Sequence, residues 1–399
     1  MQKKIIALAV AGLMSGAAFA QSNVQIYGVA DAFFGQDKAS TAAGATTPVK
    51  RTVVDDGVLA GSRIGFRGTE DLGGGLKALF TLEFGVNSEE AAGLQTNARQ
   101  QMVGLTGGWG TFVAGRLYSP GYNIANKFNT GVGGQRLSAL AALQDEVGAT
   151  INMGASGRLN NGMAYVSPSM SGLVATAAYT TLGENSRGAS DRVWGLGLDY
   201  DNGPIAVSAA HHNIVTNTAA TTGAALNATV TLVAAACGTG TTLIGAVSNG
   251  PGATLNACGS NATAGANAFD RKTKENIIAG SYDFGVAKAV LTYQNQKTNT
   301  TVETAKNNIW NMGAIVPVGG AGSFRINYAR LNDKMVANND AKSWATGYIH
   351  SLSKRTSVYG GYSQTKSKNA AMAAVASGLA PTNNDGKSRT YGVGLNHSF

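Results

Sequence analysis

Tyr391-Gly392-Val393-Gly394-Leu395-Asn396-His397-Ser398-Phe399 alternates strictly. Tyr391, Val393, Leu395, His397 and Phe399 fall on one side of a strand, and Gly392, Gly394, Asn396 and Ser398 on the other. That is the period-two signal of a strand with two unlike faces. A chain that ends inside such a strand leaves no tail to solvate. A closed barrel needs this, because its last strand must pair with its first and no edge remains. The opposite end reads as an export signal. Lys3 and Lys4 are basic, Ile5 to Met14 is apolar, and Ala18-Phe19-Ala20 is a small-x-small cleavage site. The expected organisation is a signal peptide at 1–20 and a single barrel domain at 21–399.

Composition supports a barrel in a membrane. Hydrophobic residues make up 44% of the chain and charged residues 13%, about half the usual charged share of a soluble protein. Gly occurs 54 times. Beyond the signal no stretch of 18 apolar residues occurs, so spanning helices are not expected. A membrane barrel hides its apolar face in alternation. The formal charge of +9 would suggest nucleic acid in an intracellular chain, but export argues against such a partner. Cys237 and Cys258 are the two cysteines, set in an Ala/Thr/Gly/Asn-rich stretch without further ligands nearby. In an oxidising compartment the expectation is a disulfide between them and no metal site.

Sixteen candidate strands run through the chain, joined by links that alternate short and long. Gly73-Gly74-Gly75, Gly107-Gly108-Trp109-Gly110, Asp201-Asn202-Gly203 and Asp283-Phe284-Gly285 are among the short turns. The long links include 36–59, 118–159, 214–272, 297–306 and 333–340. All short turns then lie at one rim and all long loops at the other, the layout of an outer-membrane barrel with periplasmic turns and extracellular loops. Leu76, Ala78, Phe80, Leu82 and Phe84 share a face suited to lipid, and Lys77, Leu79, Thr81 and Glu83 share one suited to water. Phe324, Ile326 and Tyr328 read likewise as a lipid face. Tyr27, Tyr165, Phe284, Tyr348 and Phe399 near strand ends suggest aromatic girdles.

Several segments resemble the trimeric general porins of beta-proteobacterial outer membranes. They are Val24-Gln25-Ile26-Tyr27-Gly28-Val29-Ala30-Asp31, then Ser62-Arg63-Ile64-Gly65-Phe66-Arg67-Gly68-Thr69-Glu70-Asp71-Leu72-Gly73-Gly74-Gly75-Leu76-Lys77-Ala78. Leu82-Glu83, Arg99-Gln100, Val103-Gly104-Leu105, Gly115-Arg116, Asn160 to Pro168 and Gly394 to Phe399 extend the likeness along the mature chain. The resemblance implies an all-β fold, a sixteen-stranded antiparallel transmembrane barrel assembled as a homotrimer, whose third long loop, 118–159, folds inward as a constriction. It implies Arg63, Glu83 and Arg99 on the constricted wall. Arg136 or Arg158 would supply the loop arginine, and Asp145 and Glu146 the loop's acidic groups. The 214–272 insertion is a long surface loop that departs from the family's typical length.

A charge on a spanning strand that faces lipid at the midplane costs about 2–4 kcal/mol, so Arg63, Arg67, Lys77 and Glu83 are expected to face the lumen. Arg63 and Arg67 alternate with Ile64 and Phe66 as that demands. The expected function is a water-filled channel for passive diffusion of small hydrophilic solutes and ions, with a weak anion preference and no cofactor. A solute-specific channel, or a surface adhesin or receptor barrel using its long loops, are the alternatives. Catalysis is not expected, because His211, His212, His350 and His397 have no carboxylate or nucleophile at a telling spacing. Expected partners are outer-membrane lipid and lipopolysaccharide. The outer-membrane assembly machinery would engage the terminal strand through Tyr391, Val393, Leu395 and Phe399.

Overall fold

The computed structural model describes residues 23–39, 49–87, 98–134, 136–181, 192–218, 269–300, 302–336, 338–368 and 386–399. The expected signal peptide and the expected Cys237–Cys258 disulfide lie outside them. The strands are β1 (Asn23–Ala39), β2 (Val49–Asp56), β3 (Arg63–Gly73), β4 (Leu76–Gly85), β5 (Ala98–Gly107), β6 (Gly110–Tyr118), β7 (Arg158–Val166), β8 (Leu173–Thr181) and β9 (Arg192–Asn202). They continue with β10 (Ile205–Thr218), β11 (Phe269–Asp283), β12 (Lys288–Asn299), β13 (Glu303–Val318), β14 (Gly322–Asp333), β15 (Ala341–Ser351), β16 (Thr356–Ser367) and β17 (Gly386–Ser398). Each pairs antiparallel with its neighbour around the ring, and β17 pairs back onto β1 from Val29↔Ser398 to Ala39↔Ser388. Phe399 and Gly28 exchange backbone hydrogen bonds of 3.1 and 3.0 Å. The terminal strand therefore seals the barrel.

The seventeen segments fill sixteen wall positions. The lower half of β1 pairs with β3 (Asn23↔Thr69 to Val29↔Arg63) and its upper half with β2 (Ala32↔Asp56 to Ala39↔Val49). β2 and β3 are one spanning strand, broken at 57–62. This corrects the expectation of an uninterrupted link at 36–59. A buried carboxylate explains the break. Asp31 Oδ1 accepts the amide of Val58 at 3.0 Å and the Tyr359 hydroxyl at 2.7 Å. Its Oδ2 accepts from Asn396 Nδ2 at 2.8 Å. The chain turns inward there, with Gly57 at φ +72°, and Val58 enters a core with Phe33, Val132, Leu137 and Tyr359.

The outer face carries the apolar residues. Ile26, Phe34, Val103, Leu196, Leu198, Ile278, Leu291, Met312, Phe324, Ile326, Val393 and Leu395 are all exposed. The expected girdle residues Tyr165, Phe284, Tyr348 and Phe399 are exposed too. Tyr27 is a correction: it shares the parity of Asp31 and Phe33, and its hydroxyl reaches Glu83 Oε2 inside the lumen at 3.0 Å. The turns at the short-link rim rest on glycines with positive φ, as at Gly73, Gly74 and Gly75 (+84°, +60°, +81°). At the other rim the strands run longer than expected. β12 and β13 are separated by only 300–302, because Lys272↔Asn299 and Lys297↔Lys306 continue the ladders.

The third loop folds into the barrel, as expected. It carries two helices, α1 (Pro120–Lys127) and α2 (Ala139–Glu146). Ser119 caps α1 by accepting the Tyr122 amide at 3.0 Å, Pro120 opens the first turn, and Lys127 sits in the last, where a cation is favoured. Ser138 caps α2 through the Ala141 amide at 3.3 Å. α1 packs on β8 to β11 and α2 on β13 to β16. Leu140, Leu143 and Met153 bury against Ile309, Ala329 and Leu331. The lumen of a porin-sized barrel is normally polar, so these inward apolar wall residues mark where the loop rests.

Candidate functional site

With α1 and α2 on one side of the lumen, the wall of β3 to β7 faces the remaining space. A cavity of about 350 Å³ lies there, lined among others by Arg63, Glu83, Arg99, Arg158, Tyr118 and Tyr122. Strand parity brings Arg63 and Glu83 inward. Arg99 arrives by a different route. Glu83 pairs with Gln100 but Phe84 with Ala98, so Arg99 occupies a bulge that redirects its side chain.

Glu83 is the centre of this group. Its Oε1 accepts from Arg99 Nε at 2.7 Å and from the Tyr118 hydroxyl at 3.1 Å. Its Oε2 accepts from Tyr27 and stands 3.5 Å from Arg63 Nε. Arg99 Nη2 also donates to the Tyr118 oxygen at 3.2 Å. The Tyr118 and Tyr122 rings stack with centroids 4.0 Å apart. Arg158, at the first residue of β7, lies in the electrostatic field of Arg99 and Glu83. Two guanidinium groups thus meet one carboxylate and a third, Arg158, lines the same cavity, leaving the cluster formally +2.

The structure separates the remaining expected residues from that cluster. Arg136 reaches the upper halves of β1 and β2, where Nη1 meets Asp37 Oδ2 at 2.8 Å and Nε contacts Asp55. Arg51 shares Asp37 at 3.0 Å. Arg158, not Arg136, is the arginine beside Arg63 and Arg99. Asp145 and Glu146 end α2, toward the β13 to β16 wall. Burial pushes the Asp145 carboxyl up to about 6 and that of Glu146 up to about 8. Neither Glu146 oxygen accepts a hydrogen bond from the described residues. A neutral Glu146 adds no negative field to the arginine cluster.

A second polar group, missed in the sequence, holds the loop. Glu275 on β11 is fully buried. Its Oε2 accepts the amides of Thr150 and Ile151 at 2.9 Å each and the Thr150 hydroxyl at 2.8 Å. Its Oε1 accepts from Gln296 Nε2 at 3.0 Å. His212 Nε2 accepts the Gly121 amide at 3.1 Å, so this ring is neutral with its proton on Nδ1, 2.9 Å from Thr150 Oγ1. Lys127 adds ion pairs to Asp199 and Asp201 at 3.3 and 2.8 Å. Strand parity marks Glu275 and His212 as inward, but no local signal gives their partners in the loop, which lie 62 to 125 residues away.

Comparisons with known proteins agree with this architecture. A profile of Gram-negative porins matches residues 7–270 and 246–370. The chain is 30% identical over 417 residues to outer membrane porin protein 32 of Delftia acidovorans, and 26% identical over 454 residues to an outer membrane porin protein of Bordetella pertussis. Both alignments cover 100% of each chain. Among solved structures, an anion-selective porin from Comamonas acidovorans superposes with a TM-score of 0.68 at 24% identity, covering 95% of this chain and 100% of that one. The trimer form of OmpT from Vibrio cholerae gives 0.62 at 14% identity, over 95% and 99%.

Proposed function

The chain belongs to the Gram-negative porins, a passive channel of the outer membrane, and from that premise we propose that Arg63, Arg99 and Arg158 around Glu83 form its constriction and give it a weak preference for anions. The observation that carries this is the charge imbalance at one cavity: three guanidinium groups, one carboxylate, and Asp145 and Glu146 set apart from it. A fixed positive field at a narrow point attracts anions and repels cations. Three features keep the preference weak. Glu83 neutralises much of Arg99, the pore is water-filled, and salt screens charges beyond about 8 Å at physiological strength.

The working unit is a homotrimer. The outward residues Val24, Ile26, Ala30 and Ala32 on β1 are exposed, apolar and mostly small, which suits close packing between barrels. The exposed aromatic and aliphatic side chains of Tyr391, Val393, Leu395 and Phe399 form the face that the assembly machinery would engage.

The direct test is ion selectivity in planar bilayers for the wild type and for Arg63→Gln/Arg158→Gln. These two arginines leave the 2.7 Å Arg99–Glu83 pair intact. The variant should remain a trimer on unheated gels and shift its zero-current potential toward cations. An unchanged potential in a folded trimer would refute the assignment.

A further inference from the structure

On the premise that Arg63 lines the constriction, we propose that Tyr27 is a positioning residue for ion preference. Its hydroxyl occupies one oxygen of Glu83 and thereby keeps the Arg63 guanidinium off that carboxylate and open to the lumen. Strand register sets this up. Tyr27 pairs with Gly65, and Gly65 with Glu83, so three neighbouring strands place ring, gap and carboxylate in one line. Gly65 is the gap. A Cβ there would stand 2.5 Å from Tyr27 Cζ and 2.7 Å from its hydroxyl oxygen, so the missing side chain is what lets the ring cross toward β4. Arg67 holds the ring from the short-turn side. Its guanidinium carbon lies 4.9 Å from the ring centroid, an attractive arrangement, and its Nε donates to Gln25 Oε1 at 3.0 Å. The hydroxyl is thus aimed at Glu83 Oε2, 3.0 Å away.

The chemistry turns on which donors satisfy a buried carboxylate. Glu83 is buried, so its oxygens need partners. A guanidinium satisfies an oxygen and offsets its charge. A hydroxyl satisfies it and offsets none. Oε1 takes both kinds, Arg99 Nε at 2.7 Å and the Tyr118 hydroxyl at 3.1 Å. Among the described residues Oε2 takes a hydrogen bond from the Tyr27 hydroxyl alone, and Arg63 Nε stands 3.5 Å off. Arg63 is tied to neutral backbone instead, with Nη1 donating to the Gly61 carbonyl at 3.1 Å. Exposure follows the same division: the Arg63 side chain is 25% exposed and that of Arg99 11%. Guanidinium and carboxylate favour two parallel hydrogen bonds, so a vacant Oε2 would draw Arg63 in. With the tyrosine in place, Arg99 alone is locked onto Glu83, and Arg63 keeps donors for a passing anion.

The test is a double-mutant cycle, read as the zero-current potential of trimers in planar bilayers under a salt gradient. Tyr27→Phe keeps the ring over Gly65 and beside Arg67 and removes only the hydroxyl. It should shift the potential toward cations, by less than Arg63→Gln does. In the Arg63→Gln background the same change should add nothing, because the arginine that the hydroxyl holds off is gone. Gly65→Ala displaces the ring without altering a charge or a hydroxyl. It should reproduce the Tyr27→Phe shift, and it decides the matter if Tyr27→Phe gives no trimers. A crystal structure of Tyr27→Phe should show Arg63 within about 3 Å of Glu83 Oε2. No shift in folded Tyr27→Phe, a shift toward anions, or an equal shift in both backgrounds would overturn the role of Tyr27 and leave Arg63 at the constriction. No shift on Arg63→Gln would remove the premise itself, so the two failures are distinct.

Discussion

Glu83 on β4 and Glu275 on β11 point into the same lumen from distant parts of the wall, and both are buried. Their partners differ in kind. Glu83 is met by two arginines and two tyrosine hydroxyls and borders the open cavity. Glu275 has no cation among its hydrogen-bond partners within the described residues and is satisfied by the loop's own amides, Thr150 and Ile151, with a hydroxyl and a glutamine. A carboxylate paired with guanidinium beside an open cavity shapes the electric field there. One saturated by backbone N–H groups fixes a chain segment. The barrel uses one residue type for both tasks, and the neighbours decide which.

The comparison can be broken first at the anchor. Glu275→Ala leaves the Thr150 and Ile151 amides and Gln296 without their acceptor. Hydrogen bonds to a charged group contribute about 1.5–3 kcal/mol each, so the packed loop should lose about 3 kcal/mol or more. Amide exchange at Thr150 and Ile151 should accelerate, and single-channel current should become noisier while trimers persist. Unchanged exchange would mean the loop is held by its apolar contacts alone.

Gly133 sharpens the other side. It lies at φ +79°, and a Cβ there would stand 1.8 Å from the Val58 carbonyl oxygen in the strand break. Gly133→Ala must push the loop off the broken strand, at a cost of about 1–3 kcal/mol. Neighbouring Gly134 lines the arginine cavity, so conductance should change along with thermal stability. Altered stability at constant conductance would separate the break from the constriction.

A smaller effect concerns pH. Glu146 has its carboxyl raised by burial to about 8. Between the ordinary carboxylate range and about 8, the packed loop keeps a proton that a released loop would lose. Stability of the packed loop therefore falls as pH rises through that window, the reverse of an ion-paired acid. Loop amide protection should decline from pH 7 to pH 9 in the wild type, above the range in which Asp145 titrates, and stay flat there in Glu146→Gln. A decline in the variant as steep as the wild type's would place the titrating group elsewhere.

Strand alternation made the wall legible in the sequence. Phe324, Ile326 and Tyr328 read as lipid-facing and are exposed on the outer face. Parity likewise pointed Arg63 and Glu83 inward. What stayed hidden depends on contacts between distant residues. The break at 57–62 is set by Asp31, whose partners Tyr359 and Asn396 come from the other end of the chain. Arg136 is held away from Arg63 and Arg99 by Asp37 and Asp55, which lie on strand that read as loop or loop edge. Tyr27 looked like a girdle residue because its aromatic type was weighed above its parity. Glu275 and His212 showed only a side of the wall, and the loop atoms they hold carry no sequence mark.

The arginine cluster around Glu83, formally +2, is proposed to set the ion preference of the constriction. This assignment is tested most directly by the zero-current potential of the wild-type trimer across a salt gradient, measured at low and at high mean ionic strength. An anion-selective sign that shrinks as salt rises is the result this charge arrangement predicts, because screening shortens from about 30 Å at 0.01 M to about 3 Å at 1 M. A cation-selective sign, or a preference indifferent to salt, would contradict it.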